Sequence, residues 1–151
     1  MALFLVQHGK SLPKDQDPEK GLSPEGREET RRIADVAEQY AIPVARIVHS
    51  GKTRASRTAD IFHDLLATGI DPEAIPGIAP MDDVKAFART LDPQSNIMVV
   101  GHLPFMEKLV SYLTAGNENL RVYKFQNSGI VCLDREGNDW FIKWTLNPHI
   151  D

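Results

Sequence analysis

Ile97-Met98-Val99-Val100-Gly101-His102-Leu103-Pro104 is the stretch whose reading decides the fold. An unbroken aliphatic run bounded by turn residues reads as a short strand buried on both faces, the kind found in parallel sheets. A histidine follows the glycine at once. Pro104 then opens a segment whose apolar residues Met106, Leu109, Val110 and Leu113 keep helical spacing, ending near Gly116. The same order occurs twice upstream. Leu3-Phe4-Leu5-Val6 runs into Gln7-His8-Gly9, and Ile47-Val48 runs into His49-Ser50-Gly51 and a helical segment.

Between these strands lie further helices. Ser23 caps one, Pro24 takes its first turn, and Ile33, Val36, Ala37 and Tyr40 form its inward face. A second helix is expected from about Thr53 to Ala67, with Ala55, Ala59, Ile61, Phe62 and Leu65 inward. A shorter one is expected over about 83–91. The character then changes. Phe125–Leu133 and Trp140–Leu146 read as two strands joined by a turn through Asp134-Arg135-Glu136-Gly137-Asn138. Trp140 and Trp144, at strand spacing, read as packing residues. The stretches 12–18 and 71–80, rich in proline, read as surface loops. Strand-helix alternation followed by a hairpin predicts an α/β fold. The expected architecture is a three-layer α/β/α sandwich, with a mostly parallel central sheet and an antiparallel edge.

The bulk properties narrow the function. A chain of 151 residues fits one domain, taken here as 1–151, and can bury a sizeable core. With 42% hydrophobic and 25% charged residues it reads as a folded globular protein. Its single cysteine, Cys132, rules out an internal disulfide and a cysteine-based metal cage. A net charge of −4 with mixed signs argues against a nucleic-acid footprint. The apolar N-terminal run is too short for a signal peptide, and no stretch is long enough to span a bilayer. The expectation is a cytoplasmic protein without membrane or nucleic-acid partners.

Chemistry is expected beyond the carboxyl ends of the strands, where open α/β sheets bind ligands. Those ends carry His8, His102, and Ser50 leading to Arg54. Helix N-termini at the same rim favour an anion such as phosphate. His63 lies within a helical segment and His149 near a terminus, and His49, unlike His8 and His102, does not touch a glycine; all three read as structural or solvated.

At these residues the sequence resembles the histidine phosphatase superfamily, the phosphoglycerate mutase-like proteins, and within it the small SixA-type phosphohistidine phosphatases. Gln7-His8-Gly9-Lys10-Ser11 stands where the family carries Arg-His-Gly. Leu22-Ser23-Pro24-Glu25-Gly26-Arg27 resembles its Leu-Thr-Pro-x-Gly stretch. The run from Ser50-Gly51-Lys52-Thr53-Arg54 to Ala55-Ser56-Arg57-Thr58-Ala59 resembles its Ser-Pro-x-x-Arg-Ala-x-Gln-Thr-Ala stretch. Val100-Gly101-His102-Leu103-Pro104 resembles its second-histidine motif.

The resemblance implies a phosphoglycerate mutase-like fold and a hydrolase needing no metal or cofactor. It makes His8 the nucleophile that forms a covalent phosphohistidine. Arg54 becomes the clamp on the phosphoryl oxygens, and His102 a donor to the same oxygens. Gln7 and Gly9 complete the phosphate site; Ser11 and Ser128 are further candidates to touch the phosphate, their other readings being a loop turn and a strand start. The family's first arginine is Gln7 here, which implies a slower enzyme or a changed substrate, with Lys10 or Lys52 as sources of the missing charge. Asp82 and Asp83 are candidates for a general acid; the other reading of both is helix capping. The short chain and the absence of a clear acid favour phosphohistidine on a protein, such as a histidine phosphotransfer domain, over a phosphate ester. The competing expectations are a weakened or inactive relative that binds phosphate or a phosphoprotein, and a small-molecule phosphomonoesterase or mutase.

Overall fold

A computed structural model describes residues 2–66 and 68–150. Six strands form one sheet: β1 (Leu3–Gln7), β2 (Arg46–His49), β3 (Glu73–Ala74), β4 (Ile97–Gly101), β5 (Ile130–Glu136) and β6 (Asp139–Leu146). The spatial order is β3-β2-β4-β1-β5-β6. The first four strands run parallel, and β5 and β6 add an antiparallel flank beside β1.

Helices cover both faces, as the sandwich reading requires. Phe4 and Val6 of β1 point to one side with Met98 and Val100 of β4. There they pack against α1 (Pro24–Gln39) and α2 (Thr53–Leu66) through Ile33, Ala37, Ala55, Ala59 and Phe62. Leu3, Leu5 and Val99 point to the other side. They pack against α3 (Val84–Ala88) and α4 (Phe105–Ala115) through Val84, Phe87, Phe105, Met106 and Leu109. The period-2 alternation of a strand thus divides one apolar run between two cores. That is why β1 and β4 show no polar face in the sequence. No helix among the described residues is long and apolar enough to cross a membrane.

Local signals place the elements well, with instructive differences. Ser23 caps α1, its Oγ accepting from the Gly26 N–H at 3.0 Å, and Pro24 occupies the first turn. Tyr40 is not on the inward face: it is the C-cap and lies 78% exposed, because the helix ends one residue before it. α2 ends at Leu66 in the described chain, and the expected boundary at Ala67 falls outside the described residues. The short helix spans Val84–Ala88, not 83–91. Within the expected loop 71–80, Glu73 and Ala74 pair with the edge of β2, too briefly for any periodicity to reveal.

The hairpin strand begins at Ile130, not Phe125; residues 125–129 form a turn that approaches the end of β1. The hairpin loop is only Gly137-Asn138, with Gly137 at φ +60°, the positive φ that a two-residue loop of this kind requires. A bulge opposite Cys132/Leu133 shifts the register of β6. As a result Trp140 packs with the α4 side, while Trp144 packs with the α1/α2 side, 6.1 Å from the Phe4 ring.

Candidate active site

Strand order assembles the site. β1 and β4 are parallel neighbours with Gln7 opposite Gly101, so the residues after each strand, His8 and His102, come side by side. Their ring centroids are 5.0 Å apart. β2 lies on the other side of β4, and the turn after it delivers Ser50 and the first turn of α2. Ser50 Oγ lies 2.6 Å from His102 Nε2, and Arg54 donates from Nε to His8 Nε2 at 3.3 Å. The sequence reading of His8, Arg54 and His102 therefore describes one cluster.

The His8 ring is oriented by the backbone. Its Nδ1 lies 2.7 Å from the Gly9 carbonyl, which can only accept, so Nδ1 carries the hydrogen. The lone pair of the neutral ring is then on Nε2, facing Arg54. Burial, the largest influence, pushes His8 down to about 4; the Gly9 carbonyl opposes this, and the charges of Arg54 and Lys20 add to it. His102 is pushed down to about 3, first by burial and then by the neighbouring charges of His8, Arg54 and Lys52. Both rings are thus neutral near pH 7, and His8 is in its nucleophilic form. His102 Nδ1 is buried without a partner.

Gly9 is where backbone and side chains crowd. A Cβ there would stand 2.7 Å from Thr30 Oγ1 and 3.1 Å from Ser128 Oγ. Thr58, on α2, accepts the Gly9 N–H at 2.9 Å and donates to the Arg54 carbonyl at 2.7 Å, tying the two motifs together. Asn127 donates to the His8 carbonyl at 2.9 Å. Ser128 does not reach toward an anion: it is fully buried and shares a 2.8 Å hydrogen bond with Thr30 beneath Gly9. Ser11 pairs through its backbone with Leu22 and opens the following loop.

The remaining candidates separate clearly. The Gln7 side-chain oxygen is buried without a partner, so its NH2 group is what Gln7 can offer an anion. Lys10 is turned away to Glu25 at 2.7 Å and Glu29 at 3.7 Å. Lys52 is exposed at the start of α2. Asp82 accepts from the Ala79 N–H and Asp83 caps α3 through the Lys85 N–H, so both carboxylates are engaged with backbone. His49 accepts from the Gly51 N–H, and His63 is held between Thr68 and Asp71. His149 is more than a solvated terminal residue, since it pairs with the buried Glu29 at 2.7 Å. Among the described residues no three His, Cys, Asp or Glu side chains gather as a metal site. A cavity of about 480 Å³ lies elsewhere, lined by Phe4, Tyr40, Pro43, Cys132 and Trp144 and by neither site histidine.

Sequence reading assigned no role to Ser50, Thr58 and Asn127. The first two lie inside a motif already singled out, so their position was available. Asn127 was hidden inside a segment read as strand.

No family model matches the chain. The phosphohistidine phosphatase SixA of Escherichia coli (strain K12) is 27% identical over 154 residues, covering 98% of this chain and 94% of that protein. The solved structure of the protein histidine phosphatase SixA complexed with tungstate superposes with a TM-score of 0.84. Its identity is 24%, over 98% of this chain and 97% of that one. A SixA-type chain from Agrobacterium tumefaciens gives a TM-score of 0.78 and 25% identity over 97% of both chains. The fold is that of the histidine phosphatase superfamily, the phosphoglycerate mutase-like proteins, and over nearly the whole chain the similarity is to its SixA branch.

Proposed function

We propose that the protein is a phosphohistidine phosphatase that works through a covalent phosphohistidine on His8. The observation that carries this reading is the His8 ring itself. Its Nδ1 hydrogen is committed to the Gly9 carbonyl, and its Nε2 lone pair lies beside Arg54 and across from His102.

The chemistry follows from those positions. The Nε2 lone pair attacks phosphorus, the N–P bond of the substrate breaks, and the substrate imidazole departs. When the distal nitrogen of that imidazole is protonated, it leaves as a neutral ring. No carboxylic acid is then needed to assist it, in keeping with the backbone duties of Asp82 and Asp83. Water then attacks phosphorus on His8, releasing inorganic phosphate and restoring the neutral ring. Arg54 binds the equatorial oxygens through its planar fork as charge spreads over them, and His102 faces the same region. Ser50 fixes the angle of the His102 ring. The substrate this chemistry suits is a phosphorylated protein of the histidine phosphotransfer type.

The test is phosphate release from a phosphohistidine-bearing protein in chelator-treated buffer. Release by the native protein and its loss in His8→Ala is the expected result. Release that persists in His8→Ala removes His8 as nucleophile. A native protein that binds tungstate or phosphate yet releases none, from this or any phosphoester, is a binding protein, and the phosphatase reading fails.

A further inference from the structure

We propose that Asn127 is a positioning residue for the nucleophile, fixing the tautomer of His8 through the backbone, and that the segment after β6 holds Asn127 in place; this rests on the phosphatase reading above. Three separate elements hold the backbone around the His8 ring. The His8 N–H donates to the Gly101 carbonyl of β4 at 3.0 Å. The peptide between His8 and Gly9 is gripped at both ends. Its carbonyl accepts from Asn127 Nδ2 at 2.9 Å, and its N–H donates to Thr58 Oγ1 of α2 at 2.9 Å. The next carbonyl along, that of Gly9, is the one that accepts from His8 Nδ1. Its direction depends on the peptide before it, because a glycine has no side chain to restrict the dihedrals between them. Releasing the His8 carbonyl lets the Gly9 carbonyl swing away from Nδ1. The hydrogen is then shared between the two ring nitrogens, since the partner of one nitrogen sets the tautomer. Part of the protein then carries its lone pair on Nδ1, away from Arg54.

Asn127 can do this because the turn that carries it is itself held from two sides. On the inner side the Ser128 N–H donates to the Gln7 carbonyl at 2.9 Å, and the Ser128 hydroxyl shares its hydrogen bond with Thr30 of α1. Ser128 stands at φ +68°, a left-handed conformation that persists in a residue other than glycine only where the surroundings over-determine it. On the outer side the chain after β6 returns over the turn. Gln126 and His149 exchange two hydrogen bonds, from Gln126 Nε2 to the His149 carbonyl at 3.0 Å and from the His149 N–H to Gln126 Oε1 at 3.1 Å. The same segment is fastened to α1, where Arg32 donates to the Pro148 carbonyl at 2.9 Å and the His149 ring meets Glu29 at 2.7 Å. Asn147 covers Gly129 so closely that no Cβ fits there, and it donates to the Tyr123 hydroxyl at 2.8 Å. Two neighbouring side chains of one turn thus have separate duties: Gln126 binds the segment after β6, and Asn127 binds the backbone of the nucleophile.

Two readouts test this: the imidazole nitrogen chemical shifts of His8 by NMR near pH 7, where the ring is neutral, and phosphate release from a phosphohistidine-bearing protein. Asn127→Leu keeps the bulk and removes the donor. It should move part of the His8 hydrogen from Nδ1 to Nε2 and lower kcat about tenfold with little change in KM, the rate equivalent of one neutral hydrogen bond. Gln126→Ala leaves Asn127 and His8 intact and cuts only the link to the segment after β6. It should shift the tautomer the same way and lower kcat about threefold. In the Asn127→Leu background Gln126→Ala should add nothing further, because residues acting in series are not additive. A native tautomer in Asn127→Leu overturns the proposal, whether kcat is kept or lost, since lost kcat with an unmoved tautomer makes Asn127 merely structural. An effect of Gln126→Ala that is the same in both backgrounds overturns the role of the segment after β6. The tautomer readout needs no turnover. A native protein that releases no phosphate, but whose His8 tautomer shifts in Asn127→Leu, sinks the phosphatase reading and leaves the positioning of His8 standing. One that releases phosphate with a tautomer indifferent to Asn127 keeps the phosphatase reading and overturns this one.

Discussion

The tautomer and the charge state of His8 rest on one hydrogen bond and on burial. The Gly9 carbonyl fixes the tautomer, and burial keeps the ring neutral, so the lone pair is available at neutral pH. His102 depends on a single partner, Ser50, because its other ring nitrogen is buried without one. Removing that hydroxyl leaves the ring free to turn and both nitrogens unpaired, at a cost on the order of 1–3 kcal/mol. Ser50→Ala is therefore expected to lower kcat about tenfold with a smaller change in KM, read by steady-state kinetics. Unchanged kcat would show that packing alone orients His102. At this scale the sequence was informative where a residue's place relative to a strand end was enough, as for His8, Arg54 and His102. It was silent on Asn127, whose contribution depends on how a turn folds back onto β1.

The elements follow local chemistry closely at their starts. Ser23 and Pro24 begin α1 as the sequence reading expects, and the cap supports a helix that carries Thr30 beneath Gly9. Ser23→Ala should destabilise the protein by about 1 kcal/mol, seen as a lower urea midpoint with an unchanged slope. No change in midpoint would mean that the Ser23 N–H, which donates to the Lys10 carbonyl at 2.9 Å and survives the substitution, holds the turn by itself. Elements were harder to read where pairing across the sheet decides them. β3 is two residues long and exists because the edge of β2 is open. The bulge in β6 sends Trp140 and Trp144 to opposite faces, although their even spacing would place them on the same one. A bulge is a property of two strands together, and neither strand alone announces it.

For the whole molecule, the paired histidines couple the site to stability. Both rings are harder to protonate in the folded chain than in the unfolded one, where the ordinary value is 6.5. Below that value the unfolded chain binds more protons, so acid favours unfolding. The stability tied to these neutral rings is complete above pH 6.5 and is lost as pH falls toward about 4 for His8 and about 3 for His102. Urea midpoints should fall between pH 7 and pH 4, and the fall should be shallower in His102→Gln. An equal slope in the variant would place the acid sensitivity elsewhere.

The sequence by itself determined the layers and the direction of the sheet. Short unbroken apolar runs bounded by turn residues read as strands buried on both faces, and each was followed by a helical segment that returns the chain. It also determined which residues stand at strand ends, and so which histidines are available for chemistry. Only the tertiary structure decided which strand ends meet. The order β2-β4-β1 brings together residues from positions 8, 50, 54 and 102, and that order follows from pairing between segments far apart in the chain. The tertiary structure likewise decided what becomes of Lys10, because whether a cation is spent on a carboxylate is a matter of distance in space. No pattern of residues records it.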